Sequence, residues 1–597
     1  MGGNVTQPSE AFVEPIPATE LALREQLPFA EKPRPVPQLT PRALAWGAVL
    51  GCLLGVSNVY LGLLIGVGIS VGLTAALIAI PMQRGLAGVA PGWLGREFSL
   101  LESCVLQTTA SGAGYAVISS LPSVAVAWVL TQGAPVSPAR LVAWTLCTSL
   151  LGLCFGLLLQ RRFLAREELA FPFSVGAAAT LRAAQDRPRS SPQARALLAS
   201  VSGATLVGVS RDILKWVPGM WVPPGSLVMV GVGALMGPRL AVSMLLGWAA
   251  CFGWLVPALI ERGVAESAEA AAPLHTAWAG SVLLVSAVLV HTLRAGVSML
   301  RSLRLRAAAP PAPLEALDAL EPPPVPRAVL WAGTGLLALA SVAMASLGLG
   351  VSWALGLLAV GVSLALTAFT CRVMAETGSP PDVAVNQMAS GLLLRGGLMA
   401  NLVHSSLVFN TSAVGTDLLA NLKTAKLLGA GARQQLVAQG VGCTLGVLVL
   451  VPIFCLLVPD ASAVSGEAAR FPGVAGQQVR TLAVLLEQGV GSLPPLQLWS
   501  VLLAAVAGVT LALAETLVPR QWHRFIPSAL GLGLAFLLPF EVSVVACICI
   551  GGVLRWAVPR WRPEAEEQWV LPAACGLISA ESLLLVFGTI LAAMWAS

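Results

Sequence analysis

Acidic side chains are sparse in this chain, and several stand where a charge is costly. Glu102, Glu376, Asp417, Glu515, Glu541 and Glu581, together with His404, fall in or beside long apolar stretches. An ionisable group there costs roughly 2.5–3.5 kcal/mol on insertion scales. Something must compensate, either an internal partner or a wet chamber. Glu102 and Glu581 have apolar sequence on both sides, so each reads equally as a functional group or as a structural one inside a bundle. Glu515 lies near Arg520, and Glu541 follows Pro539; both read as helix-end groups that pair or snorkel. Gln107 shares the segment of Glu102, and Glu376 precedes Pro380-Pro381. A carboxyl placed this way can take up and release a proton along a solute path.

Other chemistries find little support. None of the lysines Lys32, Lys215, Lys423 and Lys426 completes a phosphate-binding G-x-x-x-x-G-K-[ST] loop. Gly68-Ile-Ser70-Val-Gly72 fits the G-x-S-x-G pattern, yet that nucleophile needs a strand-to-helix elbow and this one lies in an apolar helix. His275, His291, His404 and His523 are too dispersed for a zinc site. Cysteines such as Cys52, Cys147, Cys251 and Cys443 are scattered singly through apolar segments, as small hydrophobes are. Cys547 and Cys549 are two apart, which on a helix turns them to opposite sides. No cofactor or metal is expected.

The elements that hold these residues follow from composition. Of 597 residues, 56% are apolar and 11% charged, against roughly 25% charged in soluble proteins. The charge-free runs 43–80 and 328–371 each exceed the ~20 residues of one crossing. Unpaired backbone groups in lipid cost several kcal/mol, so such runs form helices, broken only where protein or water satisfies the break. The fold class is all-α, a polytopic transmembrane bundle of about 14 to 16 helices on the ~20-residue criterion, counting broken ones. Residues 98–132 are too long for one straight crossing, which predicts one crossing plus a broken or re-entrant piece. Small-residue pairs, Gly51 and Gly55 or Gly62 and Gly66, let helix backbones approach; the alternative use of Gly62–Gly68 is an unwound, cargo-facing stretch.

The net charge of +6 comes from bases in short loops, which is orientation bias and implies no nucleic-acid partner. Arg161, Arg162, Arg166, Arg182, Arg187, Arg189 and Arg195 mark one cytoplasmic loop, and Arg301, Arg304, Arg306 and Arg327 another. Residues 1–38, proline-rich with mixed charge, read as a disordered cytoplasmic tail without a signal peptide. A first transmembrane half spans 39–300, a Pro-rich linker 301–327, and a second half 328–597. Pro326-Arg327-Ala328 echoes Pro41-Arg42-Ala43, which suggests duplication with parallel repeats.

Several blocks resemble the oligopeptide transporter superfamily, in particular its bacterial branch and the related yellow stripe-like carriers of metal chelates. Leu39-Thr-Pro-Arg-Ala43 with Asn58-Val-Tyr60-Leu-Gly62 is similar to the family's opening helix. The block from Glu102 through Gln107 and Thr108 to Gly114 resembles its glutamate-plus-glutamine helix, and Glu168-Leu-Ala-Phe171-Pro172 its short proline segment. The stretch Asp417 to Gly429, with Lys423 and Thr424, preceded by Asn401 and by Arg372-Val-Met-Ala-Glu376, carries the resemblance furthest. Gly576 to Glu581 looks like the closing helix. Departures fall where the family shows an acid, an Asn-Pro pair and a lysine; here stand Gly378, Pro380-Pro381 and Gln387, with Phe173 in place of a further acid.

The resemblance implies a secondary active transporter in the bacterial cytoplasmic membrane, importing oligopeptides or peptide-like metal chelates by alternating access, with protons as the driving ion. Thousandfold accumulation requires ~4.1 kcal/mol and one charge crossing 100 mV supplies ~2.3 kcal/mol, so one to two protons suffice. Asn58, Gln107, Thr108, Asn401 and Asp417 are expected to line the cargo path, Glu102 or Glu376 to carry the proton, and Lys423 and Lys426 to mark a cytoplasmic helix end. The partners are a small solute, protons and the bilayer, with homo-oligomerisation left open. Two rivals stand beside this reading. One is a membrane enzyme acting on a lipid-linked substrate through His404 and a carboxylate. The other is a family member that does not transport, whose mark is a central cavity filled by side chains.

Overall fold

A computed structural model describes residues 37–597 apart from 67–70, 88–95, 119, 167–168, 170, 187–191, 213, 215, 217–225, 264–275, 301–323, 378–382, 395, 467–468, 489–494, 538–541, 563 and 585–597, with further gaps scattered through 277–300 and 575–583. The expected tail and most of the expected linker fall outside the described residues, as do Ser70, Glu168, Gly378, Pro380-Pro381, Glu541 and the side chain of Glu376.

The described residues form helices in the order α1 Pro41–Ile65, α2 Val71–Ala87, α3 Leu100–Ile118, α4 Val126–Gln132, α5 Pro138–Gln160, α6 Pro172–Asp186, α7 Pro192–Asp212, α8 Ser226–Met236, α9 Pro238–Ala250, α10 Val256–Glu261, α11 Arg327–Ala343, α12 Trp353–Thr377, α13 Val383–Leu393, α14 Leu398–Leu428, α15 Ala432–Leu457, α16 Val474–Gln488, α17 Pro495–Leu517, α18 Ala529–Leu537 and α19 Val542–Trp561. Eight helical runs are long and apolar enough to cross a membrane, among them Leu100–Gln132. That run is α3 and α4 joined through a π-helical stretch, Ser120–Ala125, which contains Pro122. Of the two expected forms, broken or re-entrant, the interruption is a widened turn inside one long run, because a π turn absorbs the proline without ending the helix. The chain is a multi-pass, all-helical membrane protein.

Helix starts explain the Pro-Arg-Ala echo. Thr40 caps α1 by accepting from Ala43 N, with Pro41 in the first turn, and Pro326 caps α11. Both motifs are the N-terminal chemistry of a helix, so they carry no information on duplication. The repeat that packing reveals is a different one, and it is inverted.

Helix α3 runs parallel to α15: Gly442 packs against Thr109, and four residues on Gly446 packs against Ala113. Helix α14 runs parallel to α5 in the same way, with Gly152 against Thr411 and, four residues on, Gly156 against Gly415. Helix α1 lies parallel to α3 through Gly47 against Thr109 and Gly51 against Ala110. Correspondingly, α12 lies parallel to α14 through Ser363 with Thr411, Thr367 with Ser412 and Cys371 with Thr416. Helices α3 and α14 themselves are antiparallel, since Gln107 meets Asn421 and Ser111 meets Asp417. Exchanging α1, α2, α3, α5 and α6 for α12, α13, α14, α15 and α16 therefore maps these contacts onto one another. The operator is a pseudo-two-fold axis across the helices, the inverted-repeat arrangement. The glycines permit this, since a Cβ at Gly112, Gly152 or Gly156 would sit 2.7–2.8 Å from a backbone carbonyl oxygen of the facing helix.

A second bundle is built from α8, α9, α18 and α19, so residues from both halves of the sequence contribute to both bundles. At the ends of α1 and α4 the connection after α15 is laced down. Ala461 N donates to Gly133 O (3.2 Å), Gly473 N donates to Leu63 O (3.0 Å), and Phe471 stands edge-on to Tyr60 with ring centroids 5.9 Å apart.

Candidate functional site

Where α3 crosses α14 against α15, side chains that stand apart in sequence form one buried network. Ser111 Oγ donates to Asp417 Oδ1 (2.7 Å), while Gln439 Nε2 (2.5 Å) and Asn421 Nδ2 (3.2 Å) donate to Oδ2. Asn421 Nδ2 also donates to Gln439 Oε1 (2.9 Å), and Gln107 Nε2 donates to Asn421 Oδ1 (2.9 Å). Thr108 Oγ1 donates to Gln435 Oε1 (2.6 Å) one step away. All of these residues are at most 6% exposed. Two polar atoms at its edge, Gln107 Oε1 and Gln435 Nε2, have no partner among the described residues, which leaves one acceptor and one donor open. No basic side chain pairs with Asp417 among the described residues.

The pattern explains why these residues meet. Gln107 and Ser111 are spaced at helical i and i+4, as are Asp417 and Asn421, so each pair shares one face, while Thr108, one residue on, turns to Gln435 of α15. Antiparallel packing then places 107 opposite 421 and 111 opposite 417. Ser111, Asn421, Gln435 and Gln439 escaped the sequence reading, because neutral amides and hydroxyls do not stand out in an apolar run as an acid does.

The remaining expected site residues lie elsewhere. Asn401 accepts from Gln387 Nε2 (3.2 Å), which also donates to Val479 O (2.6 Å), so it belongs to an α13–α14–α16 contact. Asn58 is buried on α1 outside the crossing network. Glu102 is held by Arg42, whose Nη2 donates to Oε2 (2.7 Å) and Oε1 (2.9 Å) and whose Nε donates to Oε1 (3.0 Å). Glu102 also accepts from Ser99 N (2.9 Å) while its own N–H donates to Ser99 Oγ (3.1 Å), a reciprocal capping box at the start of α3. Arg42 further donates to the carbonyl of Arg96 and stacks over Phe98 at 5.0 Å. Glu376 sits in the last turn of α12.

Other buried charges are paired as well. Glu581 accepts from Arg211 Nη1 (2.8 Å) and Val228 N (2.9 Å), and Glu515 pairs with Arg239. Lys423 Nζ donates to Leu169 O (2.8 Å) and Lys426 Nζ to Leu164 O (3.2 Å), near the end of α14. His404 is buried with neither ring nitrogen partnered, so among the described residues no carboxylate hydrogen-bonds it to complete an acid–base pair. No His/Cys/Asp/Glu cluster able to hold a metal occurs among the described residues.

A cavity of about 420 Å³ lies beside the π-helical stretch, lined in part by Ser120, Trp128, Arg140, Trp144 and Thr145. None of the network residues lines it. Around Asp417 the polar groups of α3, α14 and α15 pack directly on one another.

A family model described as OPT oligopeptide transporter protein matches residues 38–592. Among curated proteins, the probable metal-nicotianamine transporter YSL10 of Oryza sativa subsp. japonica is 26% identical over 190 residues, 32% of this chain and 27% of that protein. The metal-nicotianamine transporter YSL2 of Arabidopsis thaliana is 25% identical over 33% of this chain and 29% of its own length. The iron-phytosiderophore transporter yellow stripe 1 of Zea mays is 27% identical over 33% of this chain and 28% of its own. The matched stretches thus span under a third of the length of these relatives.

Proposed function

The chain belongs to the OPT oligopeptide transporter family, and from that premise we propose that it is a secondary active transporter, not an enzyme, importing peptide-like solutes or their metal chelates across a cytoplasmic membrane by alternating access. The observation that carries this reading is the buried polar crossing of two antiparallel helices inside an inverted repeat. Repeats related in this way place the solute site at their interface, and rocking one set against the other exposes it to each side in turn. Gln107, Thr108 and Asp417, joined by Asn421, Gln435 and Gln439, form the central part of the cargo path, and Asn58 and Asn401 flank it. The metal chelates named for the plant relatives present carboxylates and amines, which amide and hydroxyl side chains bind in either polarity. The driving ion in this reading is the proton, for which the candidate acids are Glu102 or Glu376 from the sequence and Asp417 from the crossing. The tail and the arginine-rich loops face the cytoplasm.

Closed packing at the crossing favours a second reading, a family member that does not transport. Purified protein in proteoliposomes, loaded with an inward proton gradient and offered either iron–nicotianamine or a short peptide, separates the two. Concentrative uptake of either probe above protein-free vesicles is the expected result; no uptake of either one, with or without the gradient, would leave the second reading standing.

A further inference from the structure

We infer that the coupling proton is carried by Asp417, and that Glu102 is a fixed strut; this rests on the transport reading above and names the residue that links its two solutes. The geometry separates the two acids. Both carboxylate oxygens of Glu102 are bound by the Arg42 guanidinium, and Ser99 and Thr40 donate as well. Protonating Glu102 would strand a buried guanidinium, whose release is expensive. Asp417 has three neutral partners, Ser111, Asn421 and Gln439. It can change its charge without breaking an ion pair.

Its partners can also follow the change. Asn421, Gln439 and Gln107 are amides, able to present either an acceptor oxygen or a donor N–H after rotation. With Asp417 ionised, Gln439 and Asn421 turn N–H groups toward it and Gln107 gives its N–H to Asn421. That arrangement leaves Gln107 Oε1 as the unpartnered acceptor at the edge. When a proton binds one carboxylate oxygen, the new O–H needs an acceptor, and a rotated Gln439 amide supplies Oε1. Asn421 then loses its acceptor on Gln439 and the polarity of the chain reverses as far as Gln107. The atom offered to cargo at the edge changes with the proton on Asp417, and the same proton leaves to the opposite side once the repeats have exchanged. No covalent bond other than that O–H is made or broken.

Position supports the role. Ser111 stands eleven residues after Leu100 and Asp417 eleven before Leu428, about 16 Å along each helix at 1.5 Å per residue. The carboxyl therefore lies well inside both helices, about three turns from those two ends. The ionisable groups facing it are Tyr115 from α3 and Cys443 from α15. Cys371 from α12 bonds the neighbouring Thr416, and the buried Arg372 follows it on α12. From α6 the charged group is Arg182, which donates to Leu427 O near the end of α14, and α5 meets this stretch of α14 through Gly156. On α14 itself Lys423 and Lys426 turn to the carbonyls of Leu169 and Leu164.

The test is the ratio of iron–nicotianamine uptake with an imposed proton gradient to uptake without one, which is independent of the absolute rate. Asp417→Asn should bring that ratio down roughly tenfold or to unity, within the range of measured site-to-site coupling. Glu102→Gln and Glu376→Gln should keep it. A gradient response retained by D417N, or abolished by E376Q alone, overturns the assignment. Difference infrared spectra of the full chain in nanodiscs, recorded between acidic and alkaline buffer without cargo, give a second reading. A protonated-carboxyl band present in the parent and E102Q and absent from D417N is expected, and its persistence in D417N overturns the assignment even if iron–nicotianamine is not a cargo. Absence of uptake by the parent alongside that band would instead count against the choice of cargo and leave the proton site supported.

Discussion

Arg42 and Glu102 show how a buried acid in a membrane bundle is kept. The pair is desolvated at both ends, with side chains 7% and 3% exposed, so removing one partner leaves an uncompensated charge worth about 3–5 kcal/mol. Glu102→Ala should therefore lower thermal stability in detergent sharply, whereas the double change Arg42→Met with Glu102→Leu should recover most of the loss; a single mutant as stable as the parent would remove the pair from the stability account. The acids were legible in the sequence because charge is rare there, and Asp417 was among them. Their partners were not. Arg42 lies 60 residues from Glu102 and Ser111 lies 306 from Asp417, separations at which one sequence gives no hint of contact. One local signal went unused: Ser99-Leu-Leu-Glu102 has the S-x-x-E form of a capping box, which already points to a helix-start role for the glutamate.

At the level of elements, the seams α3–α15 and α5–α14 depend on glycine. A leucine side chain at Gly442 or Gly152 would run into the backbone of Thr109 or Thr411, and overpacking of this kind costs about 1–3 kcal/mol or more. Because the two seams are equivalents under the pseudo-two-fold, Gly442→Leu and Gly152→Leu should depress the unfolding temperature by similar amounts, and a large difference between them would argue against the equivalence. Helix positions were readable from apolar runs, including the long 98–132 segment. Its π-helical repair at Pro122 was not, since a proline in an apolar run marks a break without saying how the backbone resolves it. The local likeness of two helix starts pointed to a parallel repeat, while the inverted one is visible only in which faces touch.

For the whole molecule, the two parallel seams and the antiparallel crossing fix which ends share a side. The starts of α3 and α15 lie together, as do the end of α4 and the turn after α15. Single cysteines replacing the exposed Arg96 and Arg433 should react with an impermeant maleimide from one side of the membrane, and cysteines replacing the exposed Ala134 and Asp460 from the other. Any mixed result would break the topology and the repeat with it. Composition announced a polytopic helical protein, and family motifs announced its kin. How residues of both sequence halves mix in each bundle could not be read from order along the chain, because contacts between distant helices set it.

The segment 458–473 is stitched to Gly133 and Leu63 by backbone bonds and clasped by the Tyr60–Phe471 rings. Epitope tags and fluorescent reporters belong elsewhere, because a graft there would unpick the hem that gathers the ends of α1, α4 and α15 into one edge. The exposed turn at Arg262–Gly263, free of such stitching among the described residues, is the place to sew one in.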